Sequence, residues 1–333
     1  MKTLEEIFTM QNLLAAHRQC RKCKQHKREV IVYELNLFEN LKRLQKSILD
    51  RSYQIHHYRS FNVYEPKKRR IESLPYKHRI VQRCLCDHVL RDTVEPHLIY
   101  DNGACRINKG TDFARGRLKK FMNAFYLKHG AKGYVLKCDV AKFFPSINHE
   151  KLKEKLAKIF PEDIYWLLCV FVDSNKKTCG LPIGNQTSQW FALLLLNDID
   201  HFIKETLGIK FYVRYMDDLV LIHESKNYLR ECLVQIQEKV HQLELSFNSK
   251  TKISQLSEGI AFLGFKFLFD KAGHLMVALN NQTKKRLRRG ASKMYQKYVL
   301  GLYSVQDAVN NLYGYKMYLS RCKGHDFFNT MKL

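Results

Sequence analysis

The chain is short of acid. Its 333 residues carry 57 Lys and Arg against 32 Asp and Glu, a net charge of +25. Self-repulsion on that scale is wasteful unless a polyanion offsets it, so a nucleic-acid partner is the simplest explanation. Glycine (15) and proline (6) are also scarce, which argues against a disordered chain. No internal repeat or low-complexity linker is evident. No apolar run approaches the roughly 20 residues of a membrane span, and the start, Met1-Lys2-Thr3-Leu4-Glu5-Glu6, lacks a secretory leader pattern. The expected location is the cytoplasm, with no membrane partner. The 45% hydrophobic content supports a core for one large or two to three small structural units.

The ten cysteines follow no secreted disulfide framework, and reduced thiols are expected. One cluster raises zinc as a possibility. His17, Cys20, Cys23 and His26 are spaced three apart within a very basic segment and offer four ligands of the right chemistry. On one continuous helix, however, ligands so evenly spaced do not converge on a tetrahedral ion.

Periodicity predicts mixed α and β elements. Leu35, Phe38, Leu41, Leu44 and Ile48 mark an amphipathic helix over residues 33–49. Tyr58 to Tyr64 alternates as a strand. With Glu65-Pro66-Lys67-Lys68-Arg69-Arg70 and the following Ile71 to Pro75, it reads as a β-hairpin with a basic tip. Helical spacing returns over 80–90 and 112–127, separated by a turn-rich stretch from Tyr100 to Gly116. Residues 132–140 read as a strand and 188–203 as a strongly apolar helix, with Ser188 as its N-cap. Another helix is expected over 229–243 and a single strand over 260–267. From about Thr283 the chain is basic and helical, with Lys284, Lys285, Arg286, Arg288 and Arg289 clustered near several tyrosines. Basic and aromatic side chains interleaved in this way suit nucleic-acid contacts.

The densest chemical signal is Tyr215-Met216-Asp217-Asp218 between two apolar runs, Phe211 to Arg214 and Leu219 to Ile222. Two adjacent anions at a buried hairpin tip repel each other and are tolerated mainly when cations neutralise them. Upstream, Tyr134 to Cys138 delivers a third carboxylate, Asp139, to a strand end. A carboxylate from one strand facing a pair from a hairpin is the frame of a two-Mg²⁺ nucleotidyl-transfer site.

These blocks, in this order, resemble the polymerase domain of reverse transcriptases from about Tyr33 to the C-terminus. They run Lys67 to Gln82, Asp101 to Ala114, Val135 to Ile147, Gly180 to Gln189, Tyr215 to Asp218, Asn248 to Lys252 and Phe262 to Phe265. Among the prokaryotic members, which include group II intron and retron enzymes, the chain most resembles the reverse transcriptases of diversity-generating retroelements. The segment Ile183-Gly184-Asn185-Gln186-Thr187-Ser188-Gln189 carries that likeness. Most reverse transcriptases have Gln at the place of Ile183 and Pro at the place of Gln189. Asp101 to Thr111 also resembles that group, as does the compactness of the chain.

The resemblance implies an α+β right-hand polymerase. Residues 1–55 would form a basic N-terminal extension and helix, 56–132 the fingers, 133–268 the palm and 269–333 a basic helical thumb. It implies RNA-directed DNA synthesis with two Mg²⁺ ions, Mn²⁺ being a possible substitute. Asp139, Asp217 and Asp218 would hold the metals, with the backbone carbonyl of Val140. Lys67, Lys68 and Arg70 would meet the dNTP triphosphate, Arg70 being the best match to the family's arginine. Phe144 would exclude a ribose 2′-hydroxyl, an assignment that neighbouring Phe143 shares. Lys250, or alternatively Lys252, would protonate the leaving pyrophosphate. Gly184 would allow close approach of nucleotide or template, and Ile183 and Gln189 would line the nucleotide site. Ile183 cannot hydrogen-bond through its side chain, and discrimination between bases should weaken accordingly. The implied product is cDNA mutagenised at template adenines, made from a template-repeat RNA. The implied partners are that RNA, the cDNA, dNTPs and an oligomeric basic accessory variability protein. Three other readings compete: a retron, CRISPR-associated or phage-defence reverse transcriptase; a non-catalytic RNA-binding protein on the same fold; and a small zinc-binding module.

Overall fold

The computed structural model describes residues 2–64 and 68–322. Among the described residues, nine strands form three antiparallel sheets. They are β1 (Arg59–Val63), β2 (Arg69–Ser73), β3 (Tyr134–Asp139), β4 (Phe211–Tyr215), β5 (Asp218–His223), β6 (Lys252–Gln255), β7 (Ile260–Phe262), β8 (Phe265–Phe269) and β9 (Leu275–Leu279). The central sheet has the order β4-β5-β3-β6. β1 and β2 make a separate hairpin, and β7-β8-β9 a small meander.

Period-two alternation gives the central sheet two apolar faces. Leu136 and Cys138 of β3, Tyr212 of β4, and Leu219 and Leu221 of β5 enter one core. Val135, Val213, Val220 and Ile222 enter a second core with the meander and the helix Thr111–His129. The sheet is thus clamped from both sides, which fixes its register: a one-residue slip would exchange the faces.

Several expected elements fall in place, and others are corrected. The helix expected over 33–49 is two helices, Arg28–Leu35 and Leu37–Leu49, broken at Asn36. Leu41, Leu44 and Ile48 are buried, but Leu35 and Phe38 are exposed, so the stripe is shorter than its periodicity implies. The apolar helix begins at Gln186, not Ser188. Ser188 is buried inside it, and the Gln186 N–H is met by the side-chain oxygen of Gln82 at 2.9 Å. The strand expected over 260–267 is a hairpin. Leu263 and Gly264 both have positive φ, as a two-residue primed turn requires. β9 has no counterpart among the expected elements; its half-buried residues alternate too weakly to separate from a loop.

Candidate active site

The site is assembled at one end of the central sheet. β3 and β5 pair so that Asp139 stands directly opposite Asp218, and β4 and β5 pair Tyr215 with Asp218. Only Met216 and Asp217 remain to turn the chain. Met216 takes a left-handed φ of 55°, uncommon for a side chain of its kind. The Val140 N–H donates to the Asp217 carbonyl at 3.4 Å, joining the turn to the end of β3.

Asp139 and Asp217 are mutual neighbours. Burial raises the Asp217 pKa, the charge and hydrogen bond of Asp139 raise it further, and the positive charge of Arg69 opposes this. Burial pushes Asp218 up to about 6, against the pull of Lys137. The Asp218 Oδ2 lies 3.3 Å from the Lys137 Nζ, and its buried Oδ1 has no hydrogen-bond partner. Among the described residues, no three His, Cys, Asp or Glu side chains converge as a ready-made metal cluster. Asp139 and Asp217 adjoin, and Asp218, whose charge interacts with both, is held by Lys137. The donor set still fits a hard divalent cation: two adjoining carboxylates and an orphaned carboxylate oxygen on the same strand ends.

Nothing local in the sequence marks Asn248 as a partner of the site. Its Nδ2 donates to Asp139 Oδ2 at 2.5 Å, and its N–H donates to the Asp139 carbonyl at 2.9 Å. Lys250 follows in an Asx turn, its N–H donating to Asn248 Oδ1 at 2.8 Å, and its side chain is exposed. Lys252 lies on β6 opposite Lys137. Together with Lys266 and Lys284, these two line a cleft of about 510 Å³ between the central sheet and the meander. The only one of these four within the expected basic cluster is Lys284. Of the rest of that cluster, Lys285, Arg288 and Arg289 are exposed, and the Arg286 guanidinium lies over the Tyr318 ring at 5.9 Å.

The β1–β2 hairpin leans on the Ile183 turn. The Glu72 N–H donates to the Ile183 carbonyl at 3.0 Å. A Cβ on Gly184 would stand 2.8 Å from the Glu72 carbonyl oxygen, and its φ is +131°. The close approach that needs this glycine is to the chain's own hairpin. Ile183 itself is half-buried, and Gln189 is exposed, with its Oε1 3.2 Å from the Cys105 Sγ. Strand alternation sends Arg69 and Arg70 to opposite faces. Arg70 donates to Ser60 Oγ at 3.2 Å, whereas Arg69 is the cation whose charge reaches Asp217. Lys68 is exposed, and Lys67 lies outside the described residues. Phe143 is buried in the core and Phe144 is partly exposed beside it, ring centroids 5.5 Å apart.

The basic N-terminal cluster is dispersed. His17 is buried against Tyr76 and Glu34. Cys20 donates to the Arg79 carbonyl at 3.4 Å, while Cys23 and His26 are exposed. These side chains have separate tasks and do not meet as ligands.

The reverse transcriptase (RNA-dependent DNA polymerase) family matches residues 42–267. The chain belongs to that family. The match runs through β1 to β8 and takes in Asp139, Asp217, Asp218 and Asn248. The family is one of RNA-dependent DNA polymerases. The fold is similar to that of apo telomerase from Candida Tropicalis, with a TM-score of 0.53 and 16% identity over 69% of this chain and 48% of that one. A form of that telomerase truncated from its C-terminal domain gives a TM-score of 0.50 and 15% identity over 68% and 55%. This reverse transcriptase therefore covers about half the length of those telomerase chains, and the likeness supports the α+β right-hand polymerase fold. No curated protein matches the chain. Among the described residues, no helix is long and apolar enough to cross a membrane.

Proposed function

We propose that this reverse transcriptase makes error-prone, adenine-mutagenised cDNA from a template-repeat RNA for a diversity-generating retroelement. The observation that carries this is the Ile183 turn. An apolar, half-buried side chain sits where the β1–β2 hairpin is tied to the polymerase body, and its carbonyl, not its side chain, makes the tie. A base pair forming there meets no polar side chain at position 183, and weaker geometric restraint lowers discrimination.

In this reading the fingers span 56–132, the palm 133–268 and the thumb 269–333. Asp139, Asp217 and the Val140 carbonyl would hold the divalent ions, Mg²⁺ or Mn²⁺, with Asp218 beside them. When bound, such ions lower the pKa of the attacking hydroxyl and bear the charge of the leaving group. Asn248 orients Asp139 for that task. Arg69, on the face of β2 from which its charge reaches Asp217, offers its guanidinium to the triphosphate, where two-pronged binding is available; Arg70, the arginine the resemblance implies, would have to leave Ser60 to join it. Lys250, exposed beside Asn248, is positioned to give a proton to the departing pyrophosphate. Phe144 acts as the sugar gate. The lysine cleft and the helix Asn281–Val299 receive the nucleic-acid backbone, and an oligomeric basic accessory protein completes the assembly.

Sequencing cDNAs copied from a defined RNA tests the proposal. Misincorporation should concentrate opposite template adenine, and Ile183→Gln or Ile183→Asn should lower it several-fold, since one added hydrogen bond contributes about 0.5–1.5 kcal/mol. Low, even error rates at all four template bases, with the accessory partner present, would leave a reverse transcriptase of another prokaryotic type.

A further inference from the structure

Directly behind the carboxylate turn lies an ion pair with no exposure on either side. Arg214, on β4, donates through Nε to Asp200 Oδ1 at 2.7 Å and through Nη2 to Asp200 Oδ2 at 2.5 Å. Tyr212 Oη donates to the same Asp200 Oδ1 at 2.6 Å. The remaining guanidinium nitrogen, Nη1, donates to the Met216 carbonyl at 2.9 Å.

That last hydrogen bond determines what the pair is for. The Met216 carbonyl belongs to the peptide that leads into Asp217. The next peptide, beginning at the Asp217 carbonyl, is held by the Val140 N–H. The two peptide planes flanking Asp217 are thus each held by a hydrogen bond, and Met216 keeps its positive φ just before the first of them. Arg214 is the one side chain of this arrangement that reaches the turn, and Asp200 sets its fork by a two-pronged grip. Simple stabilisation does not account for the pair. A buried ion pair can often be replaced by apolar side chains of similar volume with no loss of stability, because desolvation offsets the attraction.

We propose that Arg214, clamped by Asp200, is a positioning residue that aims the Asp217 carboxylate at the divalent ions. This rests on the reading of Asp217 as a metal-holding carboxylate. Arg214 touches neither substrate nor metal.

Two variants of the full chain test it. The triple variant Tyr212→Phe, Asp200→Leu, Arg214→Met removes the network and leaves no buried charge. Arg214→Lys keeps the charge opposite Asp200, but a single ammonium cannot span both Asp200 and the Met216 carbonyl. Three quantities are read: thermal midpoint, Mn²⁺ affinity by calorimetry without substrates, and kcat and KM for dNTP in primer extension. The expected result is a folded triple variant with at least tenfold weaker Mn²⁺ binding, kcat down at least tenfold and little change in KM. Arg214→Lys should show the same pattern more mildly, and it decides the matter if the triple variant does not fold. Wild-type Mn²⁺ affinity and kcat in either folded variant overturn the proposal. Asp217→Ala is the control. If that change leaves Mn²⁺ binding intact, the reading of Asp217 itself falls; if it removes binding while the network variants keep it, only the positioning role falls.

Discussion

Asn248 holds Asp139 by two hydrogen bonds at once, side chain to carboxylate at 2.5 Å and backbone to backbone at 2.9 Å. The first removes one degree of freedom from a carboxylate that must share space with Asp217. The second seats the loop before β6 against the end of β3. Asn248→Ala should therefore keep the fold and lower kcat, on the order of tenfold, because a hydrogen bond to a charged group contributes about 1.5–3 kcal/mol. Asn248→Asp should be worse, since it adds a like charge beside Asp139. Primer extension at saturating dNTP measures both; an Asn248→Asp enzyme as active as wild type would remove Asn248 from the site.

Asp139→Ala and Asp217→Ala should each abolish divalent-dependent cDNA synthesis while leaving RNA binding and the melting profile close to wild type. Each change deletes a carboxylate of the adjoining pair, and Asp218, one oxygen of which is engaged by Lys137, offers only its other oxygen and cannot take over the missing carboxylate's place. Near-normal extension by either variant would mean the chemistry lies elsewhere.

Affinity for template RNA should fall steeply as salt rises, because each neutralised phosphate releases counterions. Replacing Lys284, Lys285, Arg286, Arg288 and Arg289 with Gln should flatten that dependence by roughly 0.7 in the log–log slope for each phosphate of single-stranded RNA that is no longer neutralised. Filter binding across a salt series reads it. An unchanged slope would assign this helix face, together with the Lys284 side of the cleft, to solvent.

Acid should destabilise the protein through His78. Burial holds its pKa down to about 4, aided by the charges of Lys77, His56 and His57, and Tyr53 Oη lies 2.6 Å from its Nδ1. The ring in the unfolded chain titrates near 6.5, so the unfolded state takes up the proton first. The stability from the neutral ring is present above about pH 6.5 and is lost as the pH falls toward about 4, by at most about 3 kcal/mol. Urea denaturation across this window should show a shallower pH slope for His78→Gln than for wild type. Equal slopes would place the acid sensitivity in other groups.

Local pattern made much of this protein legible from its residues. The β1–β2 hairpin, the Asp139 strand and the Tyr215–Asp218 turn are short-range events, set by alternation, turn chemistry and apolar runs. Net charge raised the expectation of a polyanionic partner, and the order of the blocks named the family. What the residues could not disclose is how side chains far apart in the chain meet. Asn248 lies 109 residues from Asp139, and Arg214 lies 14 from Asp200 with a change from helix to strand between them, so no single local period links either pair. Asn in a loop and Arg in a strand carry no local sign of their partners. Likewise, Arg69 and Arg70 are indistinguishable in a basic run until pleating sends one toward Asp217 and the other toward Ser60. The stripe through Leu35 and Phe38 has the right period but finds no neighbour to cover it among the described residues. Periodicity reports which face can be buried; only the packing of the other elements decides which face is. The carboxylates were set by sequence, and the lysine, asparagine and arginine that aim them were brought there by the closure of the sheet between its two cores.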